Sequence, residues 1–285
     1  MTLYGVADIG VKNGDSTLAS TAAKTTKAAT GINGTPRIGV TGTEDLGGGL
    51  AAYFTFESSV NMADGTTTGT SFGDRGAFVG VKGAFGAIDA GASRLSPSFY
   101  AGAAIDASQT NNYSVFNYGG ATRNDTSINY TSNSLGGLVV RASTIMKDNN
   151  TASAGSVLAG QSYYDLSGVY TAGALTVAAS YSDNGTYNGN LIGAAYNFGP
   201  ATVSASATKL LGTTAEGQKA WNVGVRAPMG AVTLSADFSK NKDTSVKSSV
   251  VAAQYALSKR SSLTAYAKKV DDKQNELGFG IRHNF

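Results

Sequence analysis

Apolar and polar residues exchange places at every second position along most of this chain. TLYGVADIGVK sets Leu3, Gly5, Ala7, Ile9 and Val11 on one face and Tyr4, Val6, Asp8, Gly10 and Lys12 on the other, the period of a half-buried strand. PRIGVTG and LAAYFTFESS repeat it around the turn TEDLGGG, with Ile38, Val40, Leu50, Ala52, Phe54 and Phe56 opposite Arg37, Thr41, Tyr53, Thr55 and Glu57. DRGAFVGVKG and AIDAGASR follow about GAFGA, then RNDTSINYTS and LVVRASTIMK about NSLGG. QSYYDLSGVYT, ALTVAASYSD, GNLIGAAYNF, ATVSASATKL, AWNVGVRAP, AVTLSADFSK, SSVVAAQYALS, SLTAYAKKV and ELGFGIRHNF complete sixteen candidate strands. Short turns alternate with longer polar connections such as KDNNTASAGSVLAG and LGTTAEGQ.

One stretch breaks the rhythm. Between Arg94 and Arg123, RLSPSFYAGAAIDASQTNNYSVFNYGGATR has neither a strand nor a helix period. A connection this long inside a compact domain signals function. The pattern predicts a single all-β domain over 1–285, a sixteen-stranded antiparallel transmembrane barrel, with residues about 95–122 folded into its bore as a constriction. The strand lengths match the roughly 9–11 residues that cross a bilayer when tilted. Even strand number, with short turns at one rim and longer loops at the other, is the plan of outer-membrane barrels. Tyr4, Tyr130, Tyr164, Tyr181, Tyr196, Trp221 and Tyr255 fall near strand ends, where rings belong at the two lipid–water interfaces.

Composition agrees with strands joined by turns: glycine is abundant (37 residues), proline rare (4), and only 14% of residues are charged. The mean hydropathy of −0.09 is what alternating lipid-facing and lumen-facing positions produce. No apolar run reaches the roughly 18 residues of a transmembrane helix. The absence of cysteine removes disulfides, thiol nucleophiles and cysteine metal sites. The start MTLYG carries no charged and apolar leader, which fits either a removed signal peptide with Met1 in its place or a cytoplasmic protein; the strands favour the first. A small, unclustered net charge of +3 gives nucleic-acid binding no support.

LYGVADIGV, RIGVTGTEDLGGGLAAYFTFES, GVKGAFGAIDAG, SINYTSNSLGGL, YALSKRSSLTAYAKKV and GFGIRHNF occur in this order across nearly the whole chain. In that order they resemble the general porins of Gram-negative outer membranes, most closely the beta-proteobacterial branch. The resemblance implies an outer-membrane homotrimer in contact with lipid and lipopolysaccharide. It also implies a water-filled pore through each subunit for small hydrophilic solutes and ions, a third loop folded inward, and a terminal strand whose Phe285 serves as an assembly signal. The chain departs from its relatives in short loops, an outward face rich in Ala and Gly, and the lack of a Pro-Glu-Phe-type motif in 95–122.

By the same resemblance Arg37, Arg75 and Arg123 line the wall that faces the constriction loop, and Arg94 begins the loop. Asp106 is the only carboxylate between Arg94 and Arg123, and is expected to face those guanidiniums. Several arginines against one carboxylate predict a passive, weakly anion-selective diffusion channel. The alternative is a substrate-specific channel for an anionic solute such as phosphate or a small organic acid, distinguished by saturable block. Alternation also turns Asp8, Glu57, Arg141 and Arg226 inward, where they tune the field, while Tyr100, Tyr113, Phe116 and Tyr118 pack the loop on the wall. No cofactor or metal is expected. The single histidine, His283, lies on the lipid-side register, so a His-dependent triad or multi-histidine metal site cannot form. The Asp271–Asp272 pair reads as a solvated turn rather than an acid–base dyad, and Gly47–Gly49 as turn glycines with no helix after them. No enzymatic activity is expected.

Overall fold

The structure, a computed structural model, describes residues 1–15, 24–67, 72–109, 111–149, 158–212, 217–271 and 274–285; Asp272 lies outside them. In chain order the strands are β1 (Thr2–Asp15), β2 (Lys24–Thr30), β3 (Arg37–Gly47), β4 (Leu50–Ser59), β5 (Gly76–Gly83), β6 (Gly86–Ala92) and the short β7 (Arg94–Leu95). Helix α1 (Pro97–Ala103), the short β8 (Arg123–Asn124), β9 (Ser127–Thr131), β10 (Leu138–Ile145), β11 (Tyr163–Ala172), β12 (Leu175–Asp183) and β13 (Asn188–Asn197) follow. β14 (Thr202–Lys209), β15 (Lys219–Met229), β16 (Val232–Asn241), β17 (Lys247–Ala256), β18 (Ser261–Val270) and β19 (Gln274–Asn284) complete the order. Each wall strand pairs antiparallel with the next, and β19 pairs back onto β1, closing the sheet into a barrel.

The connection after β1, outside the sixteen candidate strands, contains a further one. β2 pairs with the loop-side half of β1, from Ile9 opposite Thr30 to Asp15 opposite Lys24, and β3 pairs with the other half, from Val6 opposite Arg37 to Thr2 opposite Thr41. The two are halves of one wall strand, so the closed wall has sixteen strands. Alternation sorts their side chains as the sequence predicts. Leu3, Val79, Leu166, Ile192, Leu277 and Phe279 are exposed on the outside, the apolar band a bilayer requires of a barrel. Asp8, Asp89, Asn129, Asp165, Asn222 and Asp237 are buried inside.

The break between β2 and β3 has a specific cause. Gly31 takes a left-handed turn (φ 68°), and the chain steps into the lumen until Pro36. The freed main-chain N–H groups of Ile32, Asn33 and Gly34 donate to the Asp8 carboxylate at 2.7, 3.1 and 2.8 Å. Ile32 is fully buried against Tyr113, Val250 and Tyr266. Glycine at 10 and 280 makes room, since a Cβ at either would stand 2.7 or 2.6 Å from Ile32 Cγ1. Replacing Asp8 by alanine orphans three buried donors, each worth about 1–3 kcal/mol. The variant is expected to unfold at clearly lower urea in lipid vesicles, and an unchanged midpoint would show that the kink holds without its carboxylate.

Candidate functional site

The connection from β6 to β9 is ordered rather than structureless. β7 and β8 pair at its root, Arg94 opposite Asn124 and Leu95 opposite Arg123. Ser96 caps α1 through its Oγ, which accepts from Phe99 N at 3.0 Å, and Pro97 opens the first turn, a pairing suited to a helix start. The helix lies against β11, β12 and β13. Ala101, Ile105 and Phe116 form a buried cluster with Ala178, Leu191 and Ala195 of the wall, and Tyr118 packs onto it. Farther along, Tyr113 stacks on Tyr266 at 5.0 Å.

Wall carboxylates fasten this loop. Asp165 accepts from Ser98 N at 3.1 Å and Ser98 Oγ at 2.6 Å; Asp237 accepts from Ser108 Oγ. The kink held by Asp8 grips the loop tip, where Asn112 N donates to Asn33 O at 2.9 Å and Asn112 Nδ2 to Gly31 O at 2.7 Å. The loop is therefore drawn to the β11–β18 side of the lumen.

Asp106 departs from its expected orientation. Its carboxylate does not face the arginines. It is 5% exposed and accepts from Ser108 N at 2.8 Å, Ser114 Oγ at 3.0 Å and Tyr118 OH at 2.6 Å. The loop folds around its own charge because a carboxylate beside apolar wall needs donors. Burial first, and the Asp106 charge second, raise the Tyr118 hydroxyl above the usual phenol range, so it stays protonated and donating.

The opposite side of the lumen carries an arc of guanidiniums. Arg37 opens β3, Arg75 immediately precedes β5, and Arg94 and Arg123 sit on the β7–β8 ladder at the loop root; Arg75 and Arg123 thus stand beside the wall strands rather than on them. Glu57 on β4 bridges Arg37 at 3.3 Å and Arg75 at 2.8 Å and accepts from Tyr4 OH at 2.9 Å. Arg123 Nη1 donates to the main-chain oxygens of Arg75 and Ser93. Arg94 pairs with Asp89 at 3.2 Å, donates to Tyr100 OH at 3.1 Å and lies 4.5 Å over the Phe78 ring. Arg141 lies 4.4 Å over Tyr100, so this tyrosine supports arginines rather than the wall packing expected of it.

Arg282 on β19 joins the arc beside Arg37. The alternation that puts Ile281 and His283 outside turns it inward, a signal present in the sequence and missed there. Among the described residues six guanidiniums thus share one side with Glu57 and Asp89, and with Asp8, which stands opposite Arg282 across the β1–β19 ladder. Arg226 stands apart, in a recess of about 280 Å³ between the loop and the wall, lined also by Ile105, Gln109, Thr202 and Ser204. Asp8 serves the kink rather than the open lumen, and Phe285 lies at the turn-bearing rim, where it exchanges main-chain hydrogen bonds with Gly5 at 3.0 and 3.1 Å.

Residues 1–275 match a family model described as Gram-negative porin. The major outer membrane protein P.IB of Neisseria gonorrhoeae is 38% identical over 117 residues, 40% of this chain and 32% of that protein. P.IA of Neisseria meningitidis serogroup C is 43% identical over 76 residues, 26% of this chain and 19% of that protein. The matched stretches therefore span about a third or less of those relatives. Among solved structures, the anion-selective porin from Comamonas acidovorans superposes with a TM-score of 0.78 at 24% identity, covering 100% of this chain and 99% of that one. A triple mutant of Rhodopseudomonas blastica porin does so with a TM-score of 0.75 at 16% identity, with the same coverage. At these identities the likeness concerns the fold.

Proposed function

The chain belongs to the Gram-negative porin family, and from that premise we propose that it is a passive, weakly anion-selective channel for small hydrophilic solutes and ions across the outer membrane. The observation that carries the selectivity is the arc of Arg37, Arg75, Arg94, Arg123, Arg141 and Arg282 facing a loop whose one carboxylate is turned away. A solute in the open lumen meets guanidiniums in excess over Glu57 and Asp89. A narrow sleeve with low-dielectric walls focuses that field and concentrates anions. Lys12 and Lys268 extend the basic lining toward the loop-bearing mouth, with Glu276 3.6 Å from Lys12. The work asked of the chain is transport, with no bond made or broken. Its test is the reversal potential of single channels in a planar bilayer under a salt gradient: a sign reporting anion preference is expected, and cation preference would overturn the proposal.

The unit proposed to do this work is a homotrimer, which native mass spectrometry in mild detergent would read as three copies. Phe285 is proposed as its assembly signal. The ring presses on Gly5, where a Cβ would meet it at 2.3 Å, and the main-chain exchange with Gly5 fastens the β1–β19 seam. Deleting Phe285 is expected to leave most of the protein unassembled, seen as loss of the compact, heat-modifiable band from outer-membrane fractions. Undiminished assembly would remove the residue from that role.

A further inference from the structure

Among the described residues, Arg226 is the one lumen guanidinium without a partner. Arg37, Arg75 and Arg94 pair with carboxylates, and Arg123 donates to main-chain oxygens. Arg141 lies over the Tyr100 ring, and Arg282 Nε donates to Asn284 Oδ1 at 3.1 Å. Arg226 is half-buried all the same, at the recess of about 280 Å³ between the loop and the wall. A cation drawn partly out of water calls for a compensating charge, and this one is open to a ligand.

Strand register builds the polar side of the recess. Thr202 on β14 stands directly opposite Arg226 on β15, and Ser204 follows Thr202 on the same inward face, as a period of two requires. Among the described residues neither hydroxyl has a hydrogen-bond partner, although Ser204 is only 4% exposed. A buried hydroxyl left unpaired costs energy. From the loop, Gln109 lines the recess with a left-handed backbone (φ 55°), a conformation that a residue with a Cβ keeps only where its surroundings impose it. The rest is mostly apolar, from Ala103 and Ile105 of the loop and Ala195 of β13. Asp106 borders the recess too, but its carboxylate is taken by Ser108, Ser114 and Tyr118.

One guanidinium beside two hydroxyl donors, with apolar surface around them, suits a singly charged planar head on a short hydrocarbon body. A carboxylate meets a guanidinium through two parallel N–H···O bonds, and Thr202 and Ser204 can donate to the same oxygens. Inorganic phosphate carries more charge than one guanidinium matches, beside the Asp106 carboxylate, and leaves the apolar surface uncovered. The volume lies near the lower end of small-molecule sites, roughly 300–1,000 Å³. We propose that this recess binds a short-chain aliphatic carboxylate, its head on Arg226, Thr202 and Ser204 and its chain against Ala103, Ile105 and Ala195. Bound there it touches loop and wall together, so its occupancy fastens the loop. Thr202 opens β14 and Arg226 lies near the end of β15, both beside the short-turn rim, so the ligand enters from that mouth without crossing the arginine arc. Such a site stands apart from the ion selectivity proposed above and does not rest on it.

The test uses the whole protein in deuterated neutral detergent with sodium butyrate as the probe. Saturation-transfer NMR reads binding, and hydrogen exchange reads the loop. Saturable binding is expected, with slower exchange at the main-chain N–H groups of Ile105 and Gln109, which donate to Gly102 O and Asp106 O at 3.0 Å each. Losing hydrogen bonds to a charged group corresponds to roughly 10–100-fold in affinity, and R226Q is expected to weaken butyrate by that factor. T202V/S204A keeps the charge and is expected to weaken it severalfold. R37Q/R75Q/R123Q is expected to bind butyrate as the wild type does, since those arginines line the opposite side of the lumen. Butylammonium is expected not to bind, and inorganic phosphate to compete poorly because it lacks the chain.

Equal binding of butyrate by wild type and R226Q would overturn the proposal. So would loss of binding in R37Q/R75Q/R123Q rather than in R226Q, which would put the anion in the arc. Full competition by inorganic phosphate would show that charge alone is read, and would overturn the assignment of a carboxylate with a chain. Bound butyrate with unchanged exchange at Ile105 and Gln109 would overturn the fastening of the loop. None of these readouts uses conduction, so a failure here is distinguishable from a failure of the channel function, which the reversal potential tests.

Discussion

Replacing Arg37, Arg75 and Arg123 together by glutamine is expected to abolish the anion preference of the channel, lowering the anion-to-cation permeability ratio on the order of tenfold. Glu57 is the reason the effect exceeds the removal of three charges from an excess. It bridges Arg37 and Arg75 at 3.3 and 2.8 Å, so their loss exposes a carboxylate to the lumen. Only Arg94, Arg141 and Arg282 then stand against Glu57 and Asp89, and Arg94 is already matched by Asp89 at 3.2 Å. The comparison is Asp106→Asn. With its carboxylate enclosed by Ser108, Ser114 and Tyr118, neutralisation is expected to leave the reversal potential where it was. Equal responses of the two variants would show that the field is not set by the arc.

The second large effect concerns the loop itself. Asp165 accepts two hydrogen bonds from the loop and Asp237 one, and orphaning a buried donor costs about 1–3 kcal/mol. Converting both to alanine is expected to cost the docked loop on the order of 3–6 kcal/mol and to orphan Ser98 and Ser108 on an apolar surface. The wild-type channel should be quiet, and the double variant should flicker among conductance levels, with faster hydrogen exchange at Ser98 and Phe99. Quiet traces with unchanged exchange would mean that the apolar cluster of Ala101, Ile105, Phe116 and Leu191 suffices to dock the loop. Barrel stability is expected to change less than loop order, because the wall ladder is untouched.

The wall was legible in the sequence because a strand with one face in lipid and one in water leaves a period-two record that no turn can erase. β2 escaped that record. KTTKAAT lies toward the loop-bearing rim, where both faces meet water and no apolar alternation is required. Helix α1 is only seven residues long, too short for a 3.6-residue period to show, although its Ser96–Pro97 start is written in the sequence. Inward direction was readable for Glu57, Arg141 and Arg226, since register alone decides it. Asp106 was not, because a loop residue has no register, and its donors Ser114 and Tyr118 come from eight and twelve positions along the same loop. The company Arg37 keeps was also hidden. Arg282 reaches it only because β19 closes on β1, a juxtaposition that local pattern does not record.

That closure has a consequence for the cell. A helical channel can be assembled one hairpin at a time, but this lumen has no inside until β19 pairs with β1 from Val6 opposite Asn284 to Gly14 opposite Glu276. Nearly the whole chain lies between those partners, so the last ladder carries the largest loop-closure entropy and forms late. Before it forms, two strand edges are unpaired, a state lipid does not tolerate. An interrupted chain therefore leaves no half-open leak in the membrane: it makes a finished pore or none.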